Sequence, residues 1–208
     1  YAEPIKKIQI ADRNQSNKIY FDNKRRKSNL GYIVKNEFIL DSLYKKLEKQ
    51  KNVQIFNNIS PKDIYFEGNR IITNQDNFLI NTNFLIASDG KKSSVRKIFK
   101  TPIFSKDYKK KAIVINFYHS KNHQNTAYEF FLKNGPLAIL PMQNNKNEFQ
   151  SSIVWTNTSE FINSLISLDD KKVIDILNSK IQGSIGEIKK IITKQTFTLR
   201  AHLNSKFY

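Results

Sequence analysis

The chain has 208 residues, 39% of them hydrophobic with 15 Phe and 9 Tyr, and 35 Lys and Arg against 18 Asp and Glu, a formal net charge of +17. The absence of cysteine excludes disulfides, thiolate metal sites and a cysteine nucleophile, and no apolar run approaches the roughly 20 residues that span a bilayer as a helix. Aromatic content at this level argues against disorder, and a chain of this length can bury one large core or two modest ones.

Taken in chain order, residues 5–11 and 18–22 read as strands around an Asn-rich turn, because Ile5, Ile8, Ile10, Ile19 and Phe21 roughly alternate. The cation group Lys24-Arg25-Arg26-Lys27 that follows reads as a solvated hairpin tip. Asn36 is a helix cap, and residues 37–50 form the helix: Ile39, Leu40, Leu43, Tyr44 and Leu47 make one apolar face, Lys45, Lys46 and Lys49 the wet one. Residues 53–57 read as a short strand, and 64–66 and 70–73 flank Glu67-Gly68-Asn69 as a hairpin. Another strand is expected at 78–80. The apolar run 84–87 ends in Ser88-Asp89-Gly90 and leads into the helix-like Ser93-Ser94-Val95-Arg96-Lys97-Ile98-Phe99. That pattern predicts a buried parallel strand whose carboxyl end delivers polar groups to a ligand crevice.

Beyond Thr101-Pro102 the pattern changes. Strand-like runs at 112–119, 127–133, 137–141 and 149–156, separated by polar turns, predict a mainly antiparallel sheet. Trp155 and Phe149 read as core of that sheet. Helical periodicity returns at 160–166 and 169–181, Gly183 and Gly186 act as stops, and 189–199 reads as a final strand. No repeat or linker is visible, so the change near residue 100 marks a boundary between lobes joined by short connections.

The basic residues are scattered rather than clustered with interleaved aromatics, so no nucleic-acid partner is expected. His119 and His123 lie four apart without accompanying carboxylates and do not read as a metal site. Asp169-Asp170 reads as a helix start, no nucleophile triad is visible, and Gly183 and Gly186 lack the Lys-Ser/Thr of a phosphate loop.

Four ordered segments carry a more specific signal: Leu30-Gly31-Tyr32-Ile33-Val34-Lys35-Asn36, the stretch from Ser88 to Arg96, the run from Gly135 to Met142, and Ser152-Ile153-Val154-Trp155-Thr156. Together they resemble the FAD-dependent aromatic hydroxylases of ubiquinone biosynthesis, a branch of the single-component flavoprotein monooxygenases. The resemblance implies a mixed α/β (α+β) fold. Residues 36–100 would form part of a Rossmann-like FAD-binding lobe, and 1–35 with 101–208 a discontinuous substrate-binding lobe built on a mainly antiparallel sheet with helices. It implies that Asp89 and Gly90 help hold FAD, with NAD(P)H as electron donor, and that Arg96 binds a phosphate or pairs with Asp89. Asn36 reaches the flavin's ribityl or pyrophosphate region or simply caps its helix. Leu137, Ile139, Pro141 and Met142 would line the pocket for a polyprenylated phenol. Lys92 stands where some relatives contact the nicotinamide, yet reads as an exposed lysine.

The chain also departs from that family. It has no Gly-x-Gly-x-x-Gly turn for the FAD pyrophosphate, no Gly-Asp motif after residues 197–208, Lys35 where a Glu is common, and Tyr1 rather than Met at its start. We therefore expect a central piece of a longer protein, catalytically incompetent until the remaining FAD-binding segments join it. The alternatives are a non-catalytic remnant or split-gene subunit, and a basic nucleic-acid-binding module. The expected location is cytoplasmic, with a peripheral contact at the inner membrane face.

Overall fold

The computed structural model describes residues 1–12, 18–23, 28–57, 63–68, 70–74, 79–145, 148–181 and 183–206. The basic group at 24–27, read above as a hairpin tip, lies outside the described residues. The chain forms two compact units, the first comprising Tyr1–Leu47 and Tyr108–Leu199, the second Glu48–Asp107 and Arg200–Tyr208. The first unit thus takes in residues 36–47 and the second residues 101–107 and 200–208, beside an expected division of 36–100 from 1–35 with 101–208.

The first unit is built on a seven-stranded sheet in the order β12-β8-β11-β10-β9-β2-β3. Its strands are β2 (Lys7–Asp12), β3 (Lys18–Asp22), β8 (Ile103–His119), β9 (Thr126–Leu132), β10 (Gly135–Asn145), β11 (Glu148–Thr158) and β12 (Ile188–Asn204). Antiparallel pairing dominates, as the polar turns predict, although β2 enters parallel to β9 with Ile10 beside Glu129. One face of this sheet is closed by α3 (Ser159–Ser167) and α4 (Asp170–Ile181). Thr158 starts α3 by accepting from the Phe161 amide, and Asp169 starts α4 by accepting from the Lys172 amide at 2.9 Å, which satisfies N–H groups that a helix start otherwise leaves open.

Between helices and sheet lies the core. Ile162, Leu165, Val173, Leu177 and Ile181 from the helices meet Ile113, Ile115, Phe117, Leu137, Ile139, Ile153 and Trp155 from the strands. Each such side chain contributes roughly 1.5–3 kcal/mol by leaving water. Trp155 sits edge-on to Phe161 with ring centroids 4.9 Å apart, which fits the quadrupole preference of aromatic pairs. Gly135 opens β10 at φ +151, and a Cβ there would collide with the Thr156 backbone of β11. Only glycine allows the two strands to approach so closely.

A two-stranded ribbon, β1 (Ala2–Ile5) with β4 (Gly31–Val34), packs on β10 from the face opposite the helices. Helix α1 (Asn36–Leu47) follows it and buries none of its residues. It starts on Asn36 itself and ends three residues before the expected stop. Its apolar stripe is present as predicted, but all of Ile39, Leu40, Leu43, Tyr44 and Leu47 are exposed.

The second unit holds a three-stranded antiparallel sheet, β5 (Asp63–Glu67), β6 (Arg70–Asn74) and β7 (Leu79–Thr82), and the short helix α2 (Ser94–Ile98). The expected hairpin is present, with Glu67 opposite Arg70 and Gly68 at φ +58 in the turn. Two expected strands are not: residues 53–57 and 84–87 have no strand structure. A parallel strand exists only through hydrogen bonds to a neighbour and layers on both faces. Phe84 and Ile86, each 86% exposed, have neither among the described residues. No described helix is long and apolar enough to cross a membrane.

Candidate functional site

The Asp-Gly segment of the second unit is organised around the start of α2. Asp89 Oδ2 accepts from the amides of Ser94 at 2.6 Å and Val95 at 3.1 Å, while Ser93 Oγ accepts from the Arg96 amide at 2.9 Å. The hydrogen bond with the Ser93 side chain, aided by those amides, holds the Asp89 carboxyl below the usual carboxylate range, so it is a carboxylate at neutral pH. Arg96 does not pair with Asp89; its Nη2 donates to the Lys91 carbonyl at 2.5 Å and ties down the loop between them.

Gly90 adopts φ +77, and space is open where a Cβ would stand. This bare backbone borders a cavity of about 780 Å³ whose walls include Phe66, Ile71, Leu85 and Ile86, with Asp89, Ser93, Arg96 and Lys206 among its polar groups. The structure thus brings Asp89, Gly90 and Arg96 to one cavity. An apolar wall beside one anchored anion and two cations suits a flat ring system that carries polar or anionic substituents. Lys92 is exposed and does not line it.

In the first unit, strand parity decides which side chains reach a site. Leu137, Ile139 and Pro141 point toward the helices and are fully buried, so they are core rather than cavity wall. Met142 falls on the opposite face, where it borders a cavity of about 340 Å³ with Ile33, Lys35, Phe38, Tyr118, Gln150 and Ile192. Asn36 is exposed at the first position of α1 and is not among the lining residues. Of the four expected pocket residues, then, only Met142 meets open space.

Tyr118 and Gln150 were not foreseen. They face each other across β8 and β11, with Gln150 in turn opposite Met142 on β10, so all three share one face. Their signal was in the alternation: a polar residue out of phase with the apolar ones of the same strand looks away from the core. Tyr118 Oη accepts from Asn145 Nδ2 at 3.2 Å, which leaves its own proton free to donate. The same face carries Glu129, half-buried between Ala138 and Ile10 in register, and burial raises its carboxyl above the ordinary value.

The histidines serve the architecture. His119 and His123 are buried, with ring centroids 6.1 Å apart. His119 Nδ1 donates to the carbonyls of Lys121 at 2.9 Å and Ile185 at 3.1 Å, which leaves Nε2 to accept from Ser151 Oγ at 2.9 Å. Among the described residues no group of three His, Cys, Asp or Glu could hold a metal ion.

No family model matches the chain. Among curated proteins it is similar to the mitochondrial ubiquinone biosynthesis monooxygenase COQ6 of Drosophila melanogaster, 28% identical over 184 residues covering 85% of this chain and 38% of that protein. COQ6 of Xenopus tropicalis is 30% identical over 85% of this chain and 39% of its own length. The ubiquinone hydroxylase UbiL of Rhodospirillum rubrum is 22% identical over 99% of this chain and 47% of its own length. The chain therefore spans less than half the length of these relatives. In fold it matches p-nitrophenol 4-monooxygenase PnpA of Pseudomonas putida, with a TM-score of 0.73 at 10% identity over 100% of this chain and 54% of that one. It also matches PqsL, a probable FAD-dependent monooxygenase of Pseudomonas aeruginosa, with a TM-score of 0.71 over 92% of this chain. By sequence, then, the chain is similar to part of the ubiquinone-biosynthesis hydroxylases, and its fold is the one found in these flavoprotein monooxygenase structures.

Proposed function

We propose that the chain supplies the substrate sheet and the Asp-Gly segment of an FAD- and NAD(P)H-dependent monooxygenase that hydroxylates a polyprenylated phenol in ubiquinone biosynthesis. The observation that carries this reading is the Asp89-Gly90 loop. It occurs in a chain similar to COQ6 over 85% of its length, and it presents a side-chain-free backbone and an anchored carboxylate to a cavity large enough for part of a dinucleotide. The residues present fit such a group in part. Gly90 permits close approach, Arg96 and Lys206 are cations for phosphate or ribityl oxygens, and Phe66, Leu85 and Ile86 offer an apolar wall. A pyrophosphate cradle of the Gly-x-Gly-x-x-Gly kind is not in this sequence.

When bound, FAD supplies the electron transfer from NAD(P)H and the activation of oxygen. The chain's own residues place and protect the reactants. Met142, Phe38 and Ile192 form an apolar wall suited to a ring and the start of a prenyl tail, and they exclude water. Tyr118 and Gln150 supply the hydrogen bonds that orient the phenol oxygen. Asp89 keeps the loop at α2 in the conformation that exposes Gly90. The chain's own location is cytoplasmic, at an inner membrane face that holds its lipid-like substrate, and the excess of cations favours an anionic surface.

The test is flavin binding by the purified chain. Quenching of FAD fluorescence should saturate weakly and be diminished several-fold by Asp89→Ala or Arg96→Ala, while no stoichiometric flavin survives desalting. Absence of saturable quenching, or a stoichiometric flavin band retained after desalting, would contradict the reading.

A further inference from the structure

The cavity beside Met142 holds one charged side chain. Lys35 lines it together with Ile33, Phe38, Met142, Tyr118 and Gln150, all of them in the first unit, and among the described residues no other Lys, Arg, His, Asp or Glu does so. The local chain explains why the lysine turns that way. Ile33 of β4 is paired opposite Glu3 and Val34 opposite Ala2, and alternation along an extended segment puts Ile33 and the residue two positions on, Lys35, on one side. Immediately afterwards the Lys35 carbonyl accepts from the Phe38 amide at 3.1 Å as α1 begins. A paired strand before it and a helix after it fix the backbone that carries this cation.

Its partner within the chain is weak. Lys35 Nζ stands 3.9 Å from Glu37 Oε1, with 43% and 67% of the two side chains accessible, and a pair so long and so open to water contributes little. Glu37 does not line the cavity. The remaining polar groups there are neutral, amides and the Tyr118 hydroxyl, so nothing on the described walls cancels the charge. A neutral ring entering this space leaves the cation without a counter-charge; a ring that carries an oxyanion supplies one. An opposite charge within roughly 4–6 Å favours the ionised form of a titrating group.

We propose that Lys35 makes this cavity selective for aromatic rings bearing an oxyanion, as an ionised phenol or a ring carboxylate, over the same rings in neutral form. The selectivity rests on the reading of this cavity as the substrate site, and it narrows the substrate to the ionised ring. For a phenol the consequence is chemical as well, because the phenolate is the more electron-rich ring and the better acceptor of oxygen. The net charge of +17 draws anions to the whole surface, but physiological salt screens that attraction beyond about 8 Å, whereas a partly buried contact is screened much less.

The probe is 4-nitrophenol, whose ionised form alone absorbs visible light, titrated with the purified chain at physiological salt. Bound to the protein, its ionisation midpoint should fall by about one pH unit, the equivalent of a tenfold preference for the phenolate. Lys35→Met should abolish that fall and weaken phenolate binding about tenfold; Lys35→Arg should keep both, and Lys35→Glu should turn the preference toward the neutral form. Lys171→Met, which removes an equal charge from the exposed start of α4, should change neither. Circular dichroism establishes that each variant is folded. Benzoate that displaces the phenolate where benzamide does not extends the site to ring carboxylates, and a site that ignores benzoate takes the ionised phenol alone. Absence of saturable binding, an unmoved midpoint, or a fall that survives Lys35→Met or is lost equally in Lys171→Met overturns the proposal. FAD quenching, which tests Asp89 and Arg96, should be the same in Lys35→Met as in the wild type, so failure of the flavin reading shows in a separate measurement.

Discussion

His119 ends β8 with three protein partners and 2% of its surface accessible. Burial disfavours the imidazolium and lowers its pKa from the ordinary 6.5. The neutral ring is thus the native form, and the unfolded chain binds the proton more readily. The resulting stability is present in full above about 6.5 and is lost as the pH falls through that value toward the lower folded one. Thermal denaturation in steps from about pH 8 to 5 should show a falling midpoint in the wild type, and His119→Gln should flatten that slope. A slope unchanged in the variant would remove His119 from the account. The sequence could read His119 and His123 only as a strand end and turn without carboxylates. His119 finds its partners in Ser151 and Ile185, 32 and 66 residues away, and His123 in the Met142 carbonyl, 19 away, and such partners leave no local pattern.

Helices α1 and α4 have similar amphipathic stripes and opposite fates. Val173, Leu177 and Ile181 of α4 are fully buried, whereas α1 buries nothing, and its exposed Lys45–Asp41 pair at 2.7 Å is worth only a few tenths of a kcal/mol. Leu177→Ala should therefore cost about 2–5 kcal/mol in chemical denaturation, while Leu43→Glu should stay within about 0.5 kcal/mol. An equal cost for the two would mean that the α1 stripe is covered in the folded chain. The same logic governs the strands. The runs that became β8 to β11 were legible because period-two alternation is local, but their phase was harder to assign. The sequence pattern places Leu137, Ile139 and Pro141 on a pocket wall, whereas in the fold all three are fully buried. The apolar stretch at 84–87 has the composition of a buried strand; among the described residues its hydrogen-bonding groups have no ladder to join, and it stays exposed.

Across the entire chain, 35 cations against 18 anions make a positive surface, and anionic bilayers attract such surfaces. In flotation assays the chain should rise with anionic vesicles and less with neutral ones, and rising salt should abolish the difference. Equal partitioning would remove the membrane from the proposed function. The amino-acid order by itself determined most of the succession of strands and helices, the Asp89-Gly90 turn, and the likeness to ubiquinone-biosynthesis hydroxylases, because periodicity, capping and short motifs are written in neighbouring residues. Tertiary structure alone decided that Met142 rather than Leu137 meets a cavity, that Tyr118 and Gln150 stand beside it, and that Asp89 spends its lone pairs on the start of α2. Each of these depends on which strand lies alongside and which layer lies above, and such contacts are set by burial across long stretches of chain.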